Sequence, residues 1–140
     1  AGQEFGATTG RPRRCGWLDL PQLQYTILLN GVTQLVMTKV DVLDDFEALQ
    51  AATAYQLSDG TTTQQVPYDM ATDCPTPVYQ RYPGWQTDLT AVRDYAAFPA
   101  PLQAYIQAME TQLGVPFTII SVGPGRDQLV LRPSSSEALA

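Results

Sequence analysis

Glycines and prolines interrupt this sequence at short intervals and divide it into segments that can each form one helix or strand. One segment follows Asp19, a suitable helix cap, and has apolar residues at helical spacing as far as the Asn30-Gly31 stop. Another, at 99–113, has the same spacing and ends at Gly114. The sequence therefore predicts two amphipathic helices.

The remaining segments favour strands. Residues 46–57 are ambiguous, because alanine and leucine favour a helix, whereas the Ser58-Asp59-Gly60 turn that follows favours one arm of a β-hairpin. We expect the hairpin, and the prolines in 69–83 predict mostly extended chain there. The other predicted strands are 33–38, whose apolar middle indicates burial, the second hairpin arm 61–66, an edge strand at 78–82, and two apolar runs at 117–122 and 128–131.

The length of 140 residues and the 44% hydrophobic content suit one globular domain with a core. Helices and strands that alternate along the chain predict an α/β fold that includes a β-hairpin. We divide the chain into an arginine-rich loop at 1–16, an α/β region at 17–132 and a flexible tail at 133–140.

The composition argues against several partners. The 14 acidic and 8 basic residues give a formal net charge of -6, so we expect no nucleic acid, and any bound anion should be small. No apolar run has the length of a bilayer and no leader is evident, so we expect no membrane contact and a cytoplasmic location. Cys15 and Cys74 are expected to be reduced thiols, and the absence of histidine removes the commonest general base and metal ligand.

Three arginines, Arg11, Arg13 and Arg14, lie directly behind a stretch rich in glycine and threonine. Arginine binds a carboxylate or phosphate through two parallel hydrogen bonds, and glycines let a loop close around a ligand. The stretch therefore predicts an anion-binding clamp. The alternative is a solvated basic arm without fixed structure, which the local composition favours equally.

The segment 38–42, Thr-Lys-Val-Asp-Val, lies where the predicted strand 33–38 ends and a polar turn at 39–45 begins. A carboxylate at a strand end, here Asp41, can accept two hydrogen bonds from the ring N–H and amino group of guanine, which adenine does not offer. Lys39, two residues earlier on the same side of an extended segment, can lay its aliphatic stem across a purine. The alternative is an ordinary strand exit in which Asp41 bonds neighbouring amides.

The turn after the predicted strand 117–122 is a second candidate ligand loop. Ser121 can donate and accept hydrogen bonds, and the backbone amide of Gly123 can approach a ring closely. The alternative is a plain hairpin turn. The sequence contains no phosphate-binding glycine loop with a lysine beside it, so it can hold a base but lacks an evident cradle for phosphates.

Other conspicuous side chains favour structural roles. Trp17 and Trp85 are expected to pack as anchors rather than to stack on a ligand. Asp44, Asp45 and Glu47 are expected to form a solvated turn, and nothing in the sequence groups them into a metal site.

Several of these motifs occur together in one enzyme family. The chain resembles the carboxy-terminal third of adenylosuccinate synthetase over nearly its whole length. The matching blocks are residues 6–19, Asn30-Gly31, residues 38–43, Pro83-Gly84-Trp85, residues 114–116 and residues 120–124 with Arg126. The resemblance implies strands of a larger mixed sheet, within a carboxy-terminal fragment of a bigger single-domain enzyme.

The resemblance also implies an activity. Such enzymes join aspartate to IMP in purine biosynthesis, with GTP as co-substrate and Mg²⁺ as cofactor, and they are expected to be cytoplasmic homodimers. The phosphate loop and the catalytic residues of the family lie in the amino-terminal part. The fragment would therefore carry no catalytic residue and no metal ligand, would need that part as its partner, and would be inactive alone.

Residue roles follow from the same resemblance. The residues expected to bind aspartate and IMP are Ala7, Thr8, Thr9, Gly10, Arg11, Pro12 and Arg13, with Arg11 serving IMP. Those expected to bind GTP are Arg13, Lys39, Val40, Asp41, Ser121, Val122 and Gly123. Pro12 and Gly125 stand where relatives often carry a charged residue, and we expect Pro12 to stiffen the clamp and Gly125 to loosen the guanine turn.

A free-standing module is the alternative to a fragment of an enzyme. Such a module would bind a small anion or a nucleotide, or would serve assembly with another subunit, without catalysis.

Overall fold

The computed structural model describes Gly2 and residues 4–132; the predicted tail at 133–140 lies outside the described residues, as do Ala1 and Gln3. The helices are α1 (Leu20–Asn30), α2 (Met70–Asp73) and α3 (Ala100–Leu113), and short 3₁₀ helices lie at Val40–Leu43 and Tyr95–Ala97. The strands are β1 (Leu18–Asp19), β2 (Leu35–Met37), β3 (Ala48–Gln56), β4 (Thr62–Thr63), β5 (Thr76–Pro83), β6 (Phe117–Ser121) and β7 (Leu129–Leu131). They form two mixed sheets, which confirms the α/β class.

The first sheet is built around β3. This strand pairs in antiparallel fashion with β5 along almost its whole length and with β4 at its end, and in parallel fashion with β1. The predicted hairpin is confirmed, and the amide of Gly60 closes its turn by donating to the carbonyl of Leu57 at 2.9 Å. Ala51 and Ala52 are buried in β3, so tertiary packing overrides the helical propensity of alanine. The predicted strand at 78–82 is confirmed as part of β5.

The second sheet has the order β2-β6-β7. The central strand β6 is parallel to β2 and antiparallel to β7, which confirms the two apolar runs predicted near the carboxy end. The prediction that the middle of β2 is buried is wrong, since Val36 is 53% exposed. The reason is that β2 has only three residues and, among the described residues, pairs only with β6, so that one of its edges has no neighbouring strand.

Both predicted helices are confirmed, together with their caps. The carboxylate of Asp19 accepts a hydrogen bond from the amide of Gln22 at 3.0 Å and so starts α1. Gly31 ends that helix in the left-handed conformation with φ of 60°, and Gly114 ends α3 in the same way with φ of 72°. The sequence therefore located the ends of these helices correctly.

The short helix α2 was not predicted and corrects the expectation of extended chain at its position. The carboxylate of Asp69 accepts hydrogen bonds from the amides of Ala71 at 3.1 Å and Thr72 at 3.0 Å, which is enough to fix one helical turn. Cys74 follows in the left-handed conformation with φ of 38°. Cys74 and Cys15 are both free and exposed.

The core lies between α3 and the sheets. The buried stripe of α3 belongs to one cluster with Ile120 of β6 and Val130 of β7. It consists of the residues that its apolar spacing predicts, Leu102, Tyr105, Ile106, Met109 and Leu113. The helix α3 also contacts α1 and β5. None of the described helices combines the length and the apolar character that a membrane crossing needs.

The side chains of Trp17 and Arg132 join outer segments of the chain to this core. The indole of Trp17 meets the ring of Phe46 edge-on, with the ring centroids 5.7 Å apart, which confirms its predicted packing role. The guanidinium of Arg132 lies 2.5 Å from a carboxylate oxygen of Glu110 and 4.1 Å from the ring centroid of Tyr95. These contacts join the end of the described chain to α3.

Candidate functional site

The two predicted guanine segments follow neighbouring strands. β2 ends at Met37, which lies opposite Ile120 of β6, and the two strands are parallel. Parallel strands end at the same edge of a sheet, so the segments that contain Asp41 and Ser121 leave the sheet side by side. The 3₁₀ helix Val40–Leu43 also contacts β6. The structure therefore brings these two segments together.

The side chain of Asp41 presents a buried hydrogen-bond acceptor. It lies in the first turn of the 3₁₀ helix, beside Val40, which is almost fully buried. Its Oδ1 atom is buried and receives no hydrogen bond within the described part of the chain. An unpaired buried acceptor costs about 1–3 kcal/mol, so a ligand that supplies an N–H group at this point is favoured. The alternative in which the side chain of Asp41 bonds neighbouring amides does not hold for Oδ1 within the described residues.

The predicted same-side arrangement of Lys39 and Asp41 is wrong, because Lys39 does not lie in an extended segment. Its φ of 58° places it in the left-handed region, where the chain turns into the 3₁₀ helix. This conformation costs about 1 kcal/mol for a residue with a side chain. The ammonium of Lys39 contacts a carboxylate oxygen of Glu4, so this contact, and not strand alternation, directs the side chain.

The arginine-rich stretch forms a narrow hairpin. The amide of Gly6 donates to the carbonyl of Arg11 at 2.8 Å, and the amide of Gly10 donates to the carbonyl of Gly6 at 2.9 Å. At the base of the hairpin, the amide of Arg13 donates to the carbonyl of Glu4 at 2.9 Å. The exposed residues at its tip are Ala7, Thr8, Thr9, Gly10, Arg11 and Pro12. The side chain of Arg11 has no ion-pair partner among the described residues and can receive an anion.

Glu4 connects this hairpin to the segment that contains Lys39, a role that was not predicted from the sequence. One of its carboxylate oxygens lies 3.3 Å from Nη1 of Arg13, and the other contacts the ammonium of Lys39. The hydrogen bond from Lys39, with the charges of Lys39 and Arg13 acting in the same direction, holds the pKa of Glu4 below its usual value. Lys39 lies 35 residues further along the chain, so its pairing with Glu4 cannot be read from the sequence. The sequence indicates only an acidic residue shortly before the arginines.

We expect Glu4→Gln to loosen the hairpin. A neutral amide pairs weakly with the two cations, so the amide of Arg13 should exchange with solvent about two- to fivefold faster, as measured by hydrogen exchange on the chain at neutral pH and low salt. The effect should shrink near 1 M NaCl because salt screens exposed ion pairs. Because the pKa of Glu4 is lowered, the ion pairs are present above the ordinary glutamate pKa and are lost as the pH falls through the lowered value.

The control for this prediction is Glu47→Gln, the same change at an exposed residue without an ion pair in the described chain. Its hydrogen exchange at Arg13 should match that of the wild type. Equal exchange in the Glu4 variant and the wild type would show that these ion pairs do not hold the hairpin.

Asp44 is an internal anchor, so the prediction of a solvated turn is wrong for this residue. Its carboxylate accepts hydrogen bonds from Nε1 of Trp85 at 2.7 Å and from the amide of Leu89 at 2.9 Å. Burial raises the pKa of Asp44, and the charges of Asp88 and Asp41 act in the same direction. Trp85 is 6% exposed, which confirms its predicted role as a packing anchor.

A cleft of about 410 Å³ lies beside Asp41, lined by Asp41, Asp44, Asp45, Gln86, Thr87 and Asp88. Four carboxylates repel a phosphate group but attract the N–H groups of a base. Of the predicted guanine residues, only Asp41 lines this cleft. Within residues 4–132, no three histidine, cysteine, aspartate or glutamate side chains lie close enough to hold a metal ion. The described residues therefore do not assemble a Mg²⁺ site, and we assign no step to a metal here.

The turn after β6 is held by Gln128, a residue that the sequence analysis did not single out. The hydroxyl of Ser121 donates to the carbonyl of Gly123 at 3.1 Å. The side-chain oxygen of Gln128 accepts a hydrogen bond from the amide of Gly125 at 2.7 Å, and its side-chain nitrogen donates to the carbonyl of Thr90 at 3.2 Å. The only sequence signal for this role is the position of Gln128 just before β7.

Comparisons with known proteins agree on one family. The family model of adenylosuccinate synthetase matches residues 1–130. The adenylosuccinate synthetase of Cytophaga hutchinsonii is 48% identical over 134 residues, which are 96% of this chain and 31% of that protein. The adenylosuccinate synthetase of Bacteroides fragilis is 50% identical over 131 residues, which are 94% of this chain and 30% of that protein.

A solved structure has the same architecture. It is described as the fully ligated adenylosuccinate synthetase from Plasmodium falciparum, and it matches with a TM-score of 0.88 and 32% sequence identity over 94% of this chain and 32% of that one. The chain thus spans about 30% of the length of the curated relatives that it matches. With a family model that covers almost all of its residues, the chain belongs to the adenylosuccinate synthetase family.

Proposed function

We propose that this chain is the carboxy-terminal portion of an adenylosuccinate synthetase, the GTP-dependent ligase that joins aspartate to IMP in purine biosynthesis. The observation that carries the proposal is the pair of adjacent strand ends, one with the unpaired buried oxygen of Asp41 and the other with the Ser121 turn. A carboxylate acceptor beside a close-approaching turn suits the base of GTP. Relatives that are 48% and 50% identical support the same activity for the whole protein.

The guanine pocket in this proposal consists of Lys39, Val40, Asp41, Ser121, Val122 and Gly123. The carboxylate of Asp41 accepts hydrogen bonds from the ring N–H and the amino group of guanine. Adenine leaves that carboxylate unpaired in a partly dry site, which is why GTP is chosen over ATP. Lys39 borders the base in this proposal, and the contact of its ammonium with Glu4 fixes the end of its side chain.

The arginine hairpin binds the other substrates. The residues that we assign to aspartate and IMP are Ala7, Thr8, Thr9, Gly10, Arg11, Pro12 and Arg13. Arg11, exposed near the tip, offers its guanidinium to IMP as well as to aspartate. We also assign Arg13 to GTP. This assignment is supported by Glu4, which pairs with both Arg13 and Lys39, a residue of the proposed guanine pocket.

In this division the chain binds and orients substrates and holds no catalytic group. Residues 1–16 act as the substrate loop and residues 17–132 as the α/β region with the guanine pocket. The amino-terminal part of the enzyme supplies the phosphate-binding loop, the catalytic residues and the Mg²⁺ ligands. We expect the intact enzyme to be a cytoplasmic homodimer.

Reconstitution tests the proposal. The chain alone should give no turnover of IMP, aspartate and GTP, whereas co-expression with the amino-terminal two thirds of the Bacteroides fragilis synthetase, a relative 50% identical to it, should restore adenylosuccinate formation. Turnover by the chain alone would contradict the division of labour. Calorimetric binding of GTP, aspartate or phosphate by the chain alone, with no turnover in the co-expressed pair, would favour a free-standing binding module.

A further inference from the structure

The side chain of Gln128 fills the concave side of the turn that follows β6. Its two polar atoms are both used, with the oxygen accepting from the amide of Gly125 and the nitrogen donating to the carbonyl of Thr90. Its backbone carbonyl also accepts a hydrogen bond from the amide of Val122 at 3.0 Å. Gln128 is therefore bonded on both sides of Gly123, which lies in the proposed guanine pocket.

The glycines of this turn make room for that side chain. A Cβ atom at Gly123 would lie 2.5 Å from the side-chain amide carbon of Gln128, well inside van der Waals contact. A Cβ atom at Gly125 would lie 2.9 Å from the side-chain oxygen of Gln128 and 2.7 Å from Oδ1 of Asp127. The absence of side chains at Gly123 and Gly125 thus matches the presence of the glutamine.

The side-chain nitrogen of Gln128 is linked through Thr90 to the segment that contains Asp41. The carbonyl of Thr90, which it contacts, belongs to the residue after Leu89, whose amide donates to Asp44 at 2.9 Å. The amide of Asp44 in turn donates to the carbonyl of Asp41 at 3.2 Å. A continuous set of hydrogen bonds and short chain segments therefore joins the two strand ends through Gln128.

We infer that Gln128 is a positioning residue for guanine recognition, which sets the turn of Ser121 and Gly123 at a fixed distance from Asp41; this inference rests on the proposed function. A carboxamide suits the position, since it accepts from Gly125 and donates to Thr90 at once. A carboxylate would turn an oxygen towards the Thr90 carbonyl, and the two acceptors would repel each other. The same tether explains how Gly125 is held, although its lack of a side chain led us to expect a looser turn.

The test replaces Gln128 by glutamate in the co-expressed enzyme. We expect the KM for GTP to rise about tenfold or more, because a part-buried acceptor loses its donor, while kcat and the KM values for IMP and aspartate stay within about twofold. The ratio of kcat/KM for GTP to that for ATP should fall by the same factor as the KM rises. Gln107→Glu, the same change at an exposed position of α3, is the control and should behave as the wild type.

A structural measurement accompanies the kinetics. In the chain alone, the amide of Gly125 should exchange with solvent several-fold faster in the Gln128→Glu variant than in the wild type. The reason is that repulsion from the Thr90 carbonyl moves the carboxylate, and with it the oxygen that accepts from Gly125. If the Gln128→Glu variant had an unchanged KM for GTP, or an equal rise in KM for all three substrates, the inference would be overturned. The proposed function would still stand, provided that the co-expressed wild type turned over in a GTP-dependent way. A co-expressed wild type without GTP-dependent turnover would overturn both.

Discussion

An Asp41→Asn enzyme should lose most of its use of GTP while it keeps its KM for aspartate and IMP. The amide of asparagine keeps the shape of the side chain but presents an N–H group where guanine also presents one. Two donors then face each other at a buried point, where the wild type has an unpaired acceptor oxygen. Because a site built around a buried hydrogen bond discriminates strongly, we expect kcat/KM for GTP to fall by about 100-fold or more.

A base with the opposite hydrogen-bond pattern provides the matched control for this change. Xanthosine triphosphate carries a carbonyl oxygen where guanine carries its amino group, so the new amide can donate to it. The Asp41→Asn enzyme should therefore use xanthosine triphosphate better than GTP, whereas the wild type should do the reverse. Loss of activity with both nucleotides would indicate a damaged fold rather than a changed reading of the base.

Arg11→Leu should show the complementary defect. The leucine removes the guanidinium that we assign to aspartate and IMP, so the KM values for these substrates should rise about tenfold or more while the KM for GTP changes little. Steady-state kinetics with each substrate varied in turn measure both variants. If the two changes raised all three KM values equally, the assignment of the hairpin and the strand end to different substrates would be wrong.

Local chemistry explains the parts of the fold that the sequence predicted. The caps Asp19, Gly31 and Gly114 act within one helical turn, so their patterns identify helix ends without knowledge of the rest of the fold. The short helix α2 was not predicted, because the neighbouring prolines indicated extended chain. Asp69 is nevertheless a local cap of the same kind as Asp19. The exposure of Val36 also escaped, since it depends on which strand lies beside β2.

The candidate site divides in the same way. The sequence singled out Asp41, which follows an apolar strand, and Ser121, which ends one, and the parallel pairing of β2 with β6 places these two segments side by side. The roles of Glu4, Asp44 and Gln128 were not predicted, since each depends on one partner that lies tens of residues away along the chain. The left-handed backbone of Lys39 was also missed, because nothing in its residue type requires that conformation.

Among the glycines of this chain, Gly84 should be the one at which alanine destabilises the fold most. A Cβ atom at Gly84 would lie 2.8 Å from the carbonyl carbon of Phe46 and 3.0 Å from that of Glu47, with the carbonyl oxygen of Phe46 closer still. These are backbone atoms, so no side-chain rotation can relieve the overlap. The amide of Gly84 also donates to the carbonyl of Glu47 at 3.0 Å, so any displacement breaks that hydrogen bond.

The overlap acts on the turn that presents Trp85 to Asp44, so its effect extends to the core and to the cleft beside Asp41. We expect the free energy of unfolding to fall by about 3 kcal/mol or more and the Tm by roughly 10 °C, as measured by thermal and urea denaturation of the chain. Gly16→Ala is the matched control, since a Cβ atom there meets nothing within 4 Å, and its Tm should stay near that of the wild type. Equal Tm values for the two alanine variants would contradict this prediction. They would mean that the backbone at Gly84 moves away from Phe46 at little cost and accommodates the added methyl group.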